Sequence, residues 1–294
     1  MSPVKLWLVA ARPRTLPAAV APVLVGTSLA IGEGTFRPVA FACALIGSIF
    51  IQIGTNLSND YSDARRGADT EDRLGPVRVT AGGLMPPRTV LIGTYVAFGI
   101  AVLAGVYLIA IAGWELLLVG AASILAGVLY TGGPRPYGYE GLGEVFVFLF
   151  FGVVAVVGSY FVQTEDLRWE AFALSVPVGL LAAAILLVNN IRDADTDRRA
   201  GKKTLAVRLG REGARRLFVA SIAIAYLMVP VVAIFGRDIS PLVLLALLSL
   251  PLAIPLIRVV RERTDGPSLN EALARTGMLL AVFSLLLSIG LVVS

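Results

Sequence analysis

The sequence predicts an all-α integral membrane protein: nine transmembrane helices around a central cavity, forming one domain over residues 1–294. Three observations carry this. Of the 294 residues, 57% are hydrophobic and 15% charged, against about 45–50% and about 25% in soluble domains. Several apolar runs approach the roughly 20 residues that a spanning helix needs. The Lys and Arg residues are segregated: of the 25, all but Arg37, Arg168 and Arg237 fall in the N-terminal segment, in alternate connections between those runs or, for Arg275, at the adjoining start of the last run.

The spans follow in order. The first, 17–32, comes after "MSPVKLWLVAARPRTL", which has no small-residue cleavage pattern behind a short apolar core. It therefore reads as a retained helix and not a signal peptide. The second, 38–57, runs into an acid-rich stretch, "NDYSDARRGADTEDR". Spans 89–112 and 115–130 are separated only by a short turn at Trp114, and spans 145–163 and 170–190 by a turn at Arg168 and Trp169. The sixth runs into a second acid-rich stretch, and 217–236, 240–257 and 273–293 complete the nine. Pro and Gly within them are compatible with membrane helices. Trp7, Trp114 and Trp169 fall near span ends, where aromatic anchors belong. The basic connections are those after spans two, four, six and eight, so the positive-inside rule puts the N-terminus in the cytoplasm and the C-terminus outside. The expected location is the cell membrane, with membrane lipid as a partner and the active site opening to the cytoplasm. The net charge of +5 reflects that topology; no pattern of aromatic and basic residues suggests a nucleic-acid partner.

Composition also restricts the chemistry. There is no histidine and one cysteine, Cys43. This excludes histidine-ligated zinc, histidine-based triads and any disulfide within the chain.

The two acid-rich stretches, "TNLSNDYSDARRGADTEDR" and "LLVNNIRDADTDRRAGKKT", match each other. Each starts where an apolar helix reaches the cytoplasmic surface. In each, an asparagine precedes an aspartate by four residues: Asn59 and Asp63, then Asn189 and Asp193. A further acid follows, Asp69 or Asp197. Positions i and i+4 share a helix face, so Asn189, Asp193 and Asp197 form one stripe, with Asp60 and Asp195 off the stripes. Like charges one turn apart destabilise a helix, and a divalent cation would offset that cost. With oxygen donors alone, Mg²⁺ or Mn²⁺ fits best. Mg²⁺ takes one or two carboxylates and completes its shell with water and substrate phosphates. The candidate metal ligands are Asp63, Asp69, Asp193 and Asp197. Arg192, Lys202, Lys203 and Arg135 are near enough in sequence to take phosphate oxygens.

A diphosphate that needs a membrane interior carries a long apolar tail. A polyprenyl diphosphate would sit with its head group at the cytoplasmic mouth and its chain along the spans. Charge drawn onto the departing diphosphate leaves an allylic cation for an electron-rich nucleophile, and no histidine base is required. Two rival classes fit less well. A cation-coupled transporter would place its ionisable groups near midspan. A CDP-alcohol phosphatidyltransferase would show one extended aspartate signature, not two separated ones.

Four blocks in order, "ARPRTLPAAVAPVLVG", "NDYSDARRGADTEDRLGPVRVTAGGL", "YTGGPRPYGYEGLGEVFVFLFFG" and "NNIRDADTDRRAGKKTLAVRLG", resemble the UbiA superfamily of intramembrane aromatic prenyltransferases. Within it the blocks are most similar to the branch acting on 1,4-dihydroxy-2-naphthoate in menaquinone biosynthesis. The resemblance implies nine helices around a cavity, and transfer of a polyprenyl group to that acceptor with release of diphosphate and CO₂. It makes Asn59, Asp63 and Asp69 the first metal–diphosphate site, Asn189, Asp193 and Asp197 the second, and Lys203 a phosphate partner. Where the superfamily has an acid four residues after Asp63, this chain has Gly67, and the acid comes at Asp69, as in the naphthoate branch. Tyr130 and Arg135 stand in place of a Tyr-to-Lys signature. They read either as a pair for the acceptor carboxylate or as an interfacial aromatic and a cytoplasmic anchor, an ambiguity that Tyr137 and Tyr139 share. Another aromatic acceptor, such as 4-hydroxybenzoate, is the alternative within the superfamily.

Overall fold

The computed structural model describes residues 1–68 and 74–293, and every regular element among them is helical. The helices are α1 (Pro3–Ala11), α2 (Pro17–Gly32), α3 (Pro38–Arg66), α4 (Pro87–Ala112), α5 (Glu115–Leu129), α6 (Gly143–Thr164), α7 (Trp169–Arg199), α8 (Leu205–Phe235), α9 (Pro241–Glu262) and α10 (Gly266–Val292). Proline opens α1 to α4 and α9, a position where its missing N–H costs nothing and its fixed φ suits a helix.

Each of the nine expected runs is helical, but the count of spans differs. Among the described residues seven helices are long and apolar enough to cross a membrane, and an eighth if α1 and α2, bent by 53°, are taken as one span. The remaining expected span, the fourth (115–130), is α5, with only 15 residues. At 1.5 Å per residue it reaches about 22 Å, short of a hydrocarbon layer about 30 Å thick. Two other helices run past their expected ends. α3 continues to Arg66 and α7 to Arg199, so both acid motifs begin on rigid helix and not in loops.

One side of the molecule is closely packed and the other stands open. The main core lies where α7 meets α2, α6, α8 and α10, with α9 packed against α8 and α10, and small side chains such as Ala21, Ala182, Ala225 and Ala246 are fully buried there. Small residues let membrane helices approach closely. At the α6–α7 crossing, a Cβ on Gly179 would lie 2.9 Å from the Cα of Gly152 and 3.0 Å from the carbonyl oxygen of Phe148, so backbone rests on backbone. The same stretch of α6, Phe148–Val154, is wound as a π-helix. On the other side α5 packs on α3 and α4 but not closely on α6, and a cavity of about 940 Å³ occupies the space between them.

The face opposite the acid motifs is closed by ion pairs. Arg168 contacts Glu33 at 2.6 Å and the buried Glu170 at 3.2 Å, and the Tyr160 hydroxyl donates to Glu33 at 2.7 Å. These contacts join the ends of α2 and α6 to the start of α7.

Candidate active site

The two acid motifs face the same end of the cavity. On α3, Asn59, Asp60 and Asp63 are buried. Asn59 accepts a hydrogen bond from the Thr131 hydroxyl at 3.0 Å. Asp60 does not face a ligand: its carboxylate accepts from the backbone N–H groups of Val79 and Thr80 at 3.1 and 2.9 Å. That anchors the returning chain so that Arg78 reaches Asp63, at 3.5 Å. The other Asp63 oxygen accepts from the Tyr139 hydroxyl at 2.6 Å.

On α7, Asn189, Asp193 and Asp197 all line the cavity, as the four-residue spacing predicts. Asp193 is gripped by Arg192, whose Nε and Nη2 donate to its two oxygens at 2.8 and 2.5 Å. Arg192 also donates to Asn189 at 2.8 Å and to Asn270 of α10 at 2.6 Å. Each carboxylate keeps lone pairs beyond those the guanidinium uses.

The segment between α5 and α6 joins the motifs. Its Tyr139 bonds to Asp63, and the Tyr139 ring lies 4.7 Å beneath the Lys202 ammonium. Lys202 is 4.0 Å from Asp197, and the backbone N–H of Lys203 donates to the Tyr139 carbonyl at 2.7 Å. A chain of contacts, Asp63 to Tyr139 to Lys202 to Asp197, thus spans the mouth.

Several residues expected at the phosphates stand elsewhere. Lys203 is exposed, and Lys202 is the neighbour that lines the cavity. Arg135 is on the surface with its side chain 82% exposed, 3.5 Å from Glu140. Arg192 is buried behind the mouth, its guanidinium committed to Asp193, Asn189 and Asn270, and it does not line the cavity. Asp69 lies outside the described residues. Asp195 is exposed and paired with Arg211 at 3.0 Å.

Arg12 and Arg78, which sequence reasoning used only for topology, line the cavity. Arg12 is left-handed, with φ of 54°, at the bend between α1 and α2. Asn56 and Gln52 of α3 fasten that bend, by bonds to Ala11 O at 3.0 Å and to the Thr15 hydroxyl at 3.1 Å. Their signal was the polar pattern of α3 one and two turns before Asn59.

Tyr130 and Tyr137 belong to an aromatic wall. Tyr137 stacks on Phe146 with ring centroids 4.0 Å apart, and Tyr130 meets Tyr137 edge-on at 5.5 Å. The Tyr137 hydroxyl donates to Ala126 O at 2.9 Å. Both rings and Phe150 line the cavity. Beyond them the walls are aliphatic, from Ile109 and Leu117 to Val154 and Val162.

Among the described residues no three acidic, cysteine or histidine side chains converge on one point. The described residues therefore offer no all-protein cage. One carboxylate on α3 and two on α7, on either side of a basic mouth, match a cation that completes its shell from a substrate.

A model of the UbiA prenyltransferase family matches residues 19–279. The chain is 40% identical over 279 residues to the 1,4-dihydroxy-2-naphthoate octaprenyltransferase of Mycobacterium tuberculosis, covering 95% of this chain and 94% of that one. It is 38% identical over 289 residues to the enzyme of the same name from Bacillus subtilis, covering 98% and 92%. Among solved structures, a UbiA homolog from Aeropyrum pernix superposes with a TM-score of 0.67 at 15% identity, covering 92% of this chain and 97% of that one. The Archaeoglobus fulgidus homolog bound to GPP and Mg²⁺ does so at 0.63 and 15%, covering 96% and 99%. The family model covers residues 19–279 and the relatives and superposed folds cover nearly the whole length, so the chain belongs to the UbiA prenyltransferase family.

Proposed function

We propose that the protein transfers a polyprenyl group from polyprenyl diphosphate to 1,4-dihydroxy-2-naphthoate, releasing diphosphate and CO₂ and giving demethylmenaquinol, the reduced form of demethylmenaquinone. The observation that carries this reading is the mouth itself: Asp63 and Asp197 joined through Tyr139 and Lys202, at the polar end of a long apolar cavity. The acceptor comes from the relatives, which act on the naphthoate by name. The diphosphate and metal are supported by the archaeal homolog bound to GPP and Mg²⁺.

The residues divide the work by their positions. Arg12, Arg78 and Lys202 offer donors to diphosphate oxygens at the mouth, where Arg and Lys bind phosphate through charge-assisted bonds. Asp63, Asp193 and Asp197, with Asn59 and Asn189, would hold Mg²⁺, which supplies charge neutralisation on the leaving diphosphate. The aliphatic walls take the prenyl chain, which enters between α5 and α6 from the lipid. Tyr130, Tyr137, Phe146 and Phe150 present ring faces next to the mouth, where a cationic allylic fragment is favoured by the ring quadrupole. The Tyr139 segment covers this space and limits water, which would otherwise capture the cation. The site opens to the cytoplasm in this reading, at the cell membrane, consistent with the basic loops around it.

The test is a product assay on purified protein in lipid with polyprenyl diphosphate and Mg²⁺. Dihydroxynaphthoate and 4-hydroxybenzoate are run in parallel, each with an EDTA control. A metal-dependent prenylated product from the naphthoate alone is the expected result. Product from hydroxybenzoate alone would keep the transfer chemistry and discard the acceptor.

A further inference from the structure

Asn190 follows Asn189 directly but lies about 100° around α7 from it, outside the acid stripe. It lines the cavity next to Leu186, one turn deeper, and across from Phe146 and Val147 of α6. Its amide is held from behind. Nδ2 donates to Glu144 Oε1 at 2.7 Å, and both residues are buried. Glu144 Oε2 is buried with no hydrogen-bond partner, and Glu144 itself does not line the cavity. A half-satisfied carboxyl in this environment carries a free-energy penalty, and a glutamine would fill the same volume at lower cost. Whereas a glutamine could also donate, an ionised carboxylate here can only accept. It therefore forces Nδ2 of Asn190 toward itself and turns Oδ1 toward the cavity, where no donor meets it among the described residues.

A carbonyl oxygen fixed in a mostly apolar wall selects for a ligand with a hydrogen-bond donor. Ionised diphosphate presents acceptors only, and a prenyl chain presents neither. The aromatic acceptor's hydroxyl is the donor that remains, and it must come to this place, because the nucleophile has to meet the allylic carbon just inside the diphosphate. We infer that Asn190 receives the hydroxyl of the aromatic acceptor, with Glu144 as the positioning residue that sets its orientation. This rests on the function proposed above.

The experiment compares wild type with Glu144→Gln, Asn190→Leu and the double variant Glu144→Gln/Asn190→Asp. Initial rates give KM for the naphthoate and for polyprenyl diphosphate separately. Quenching of intrinsic tryptophan fluorescence gives naphthoate binding without prenyl donor, hence without turnover. Each single variant is expected to weaken the naphthoate by roughly tenfold or more in both readouts, the scale of one lost buried hydrogen bond, with KM for the diphosphate within about twofold of wild type. In the double variant the introduced glutamine amide donates to the introduced aspartate, whose second oxygen again faces the cavity, so naphthoate affinity should recover most of the loss. Unchanged naphthoate KM in both single variants overturns the inference, as does an equal rise in both KM values or a double variant no better than Glu144→Gln. Two single variants guard against one failing to fold. If wild type prenylates only 4-hydroxybenzoate, the naphthoate assignment falls, and the same comparison with that phenol decides the Asn190 contact.

Discussion

Asp193 and Asp63 hold equivalent positions on α7 and α3, yet their partners differ. Asp193 is gripped by one guanidinium on both oxygens, whereas Asp63 divides its oxygens between Tyr139 and Arg78. Alanine at either position leaves buried cationic or hydroxyl groups without their acceptor and removes a carboxylate proposed to hold the metal. Asp63→Ala and Asp193→Ala are each expected to lose turnover while the protein still inserts and purifies; activity above about a tenth of wild type, a loss of only about 1.4 kcal/mol in the barrier, would sink the clamp. The two lysines give a sharper contrast. Lys202→Ala should raise KM for polyprenyl diphosphate roughly tenfold by removing one charge-assisted bond, and Lys203→Ala should leave it within about twofold. A larger effect at Lys203 would favour the family correspondence over the geometry. The aspartate stripe was legible because helical spacing is regular. Lys202 could not be told from Lys203, because they precede α8 in irregular backbone, held there by bonds from the Lys202 N–H to the Asp197 carbonyl and from the Lys203 N–H to the Tyr139 carbonyl that spacing does not reveal.

At the scale of elements, the site depends on contacts between helices far apart in sequence. Asn270 of α10 accepts from Arg192 at 2.6 Å and donates to the Leu74 carbonyl at 2.9 Å, tying the support of the second motif to the chain beyond the first. Asn270→Ala should lower apparent Mg²⁺ affinity, measured by Mn²⁺ competition, by roughly 10–100-fold, the usual scale for lost outer support of a metal ligand. An unchanged midpoint would show that Arg192 holds its place without α10. The α6–α7 crossing makes a different demand. Because Gly179 and Gly152 meet backbone to backbone, no rotamer change can admit a Cβ. Gly179→Ala should cost about 1–3 kcal/mol, read as a lower unfolding midpoint in detergent; a midpoint equal to wild type would mean that the crossing opens freely. Neither contact was visible in sequence. Periodicity marks which residues share a face but not which faces meet, and the π-helical stretch of α6 shifts its register in a way that apolar patterning does not signal.

At the scale of the whole molecule, α5 decides the topology. It is short for a span, yet the ends of α3 and α5 lie on one face: Arg66 hydrogen-bonds to the Gly133 carbonyl, and Thr131 to Asn59. α4 therefore leaves that face and α5 returns to it. The missing length is made up by residues 130–142, which fold back against the end of α5 through the bond from Tyr137 to Ala126 and line the cavity with Thr131, Tyr137 and Tyr139. Irregular backbone is tolerated at membrane depth where it is buried in protein or faces a cavity. Hydropathy alone counted this stretch as an ordinary fourth span followed by a cytoplasmic loop, because it measures apolar content and not the depth at which a helix stops. The consequence is a parity test. If α1 and α2 form one span and α5 counts with its folded connection, the chain crosses an odd number of times and its ends lie on opposite sides of the membrane. Cys43 is the only cysteine, so a Cys43→Ser background can carry single cysteines at Ser2 or Val293. In right-side-out vesicles a membrane-impermeant maleimide is expected to label Val293→Cys at once and Ser2→Cys only after permeabilisation. Equal labelling of both would mean an even number of crossings, and would move either α5 or the bent α1–α2 pair out of the set of spans.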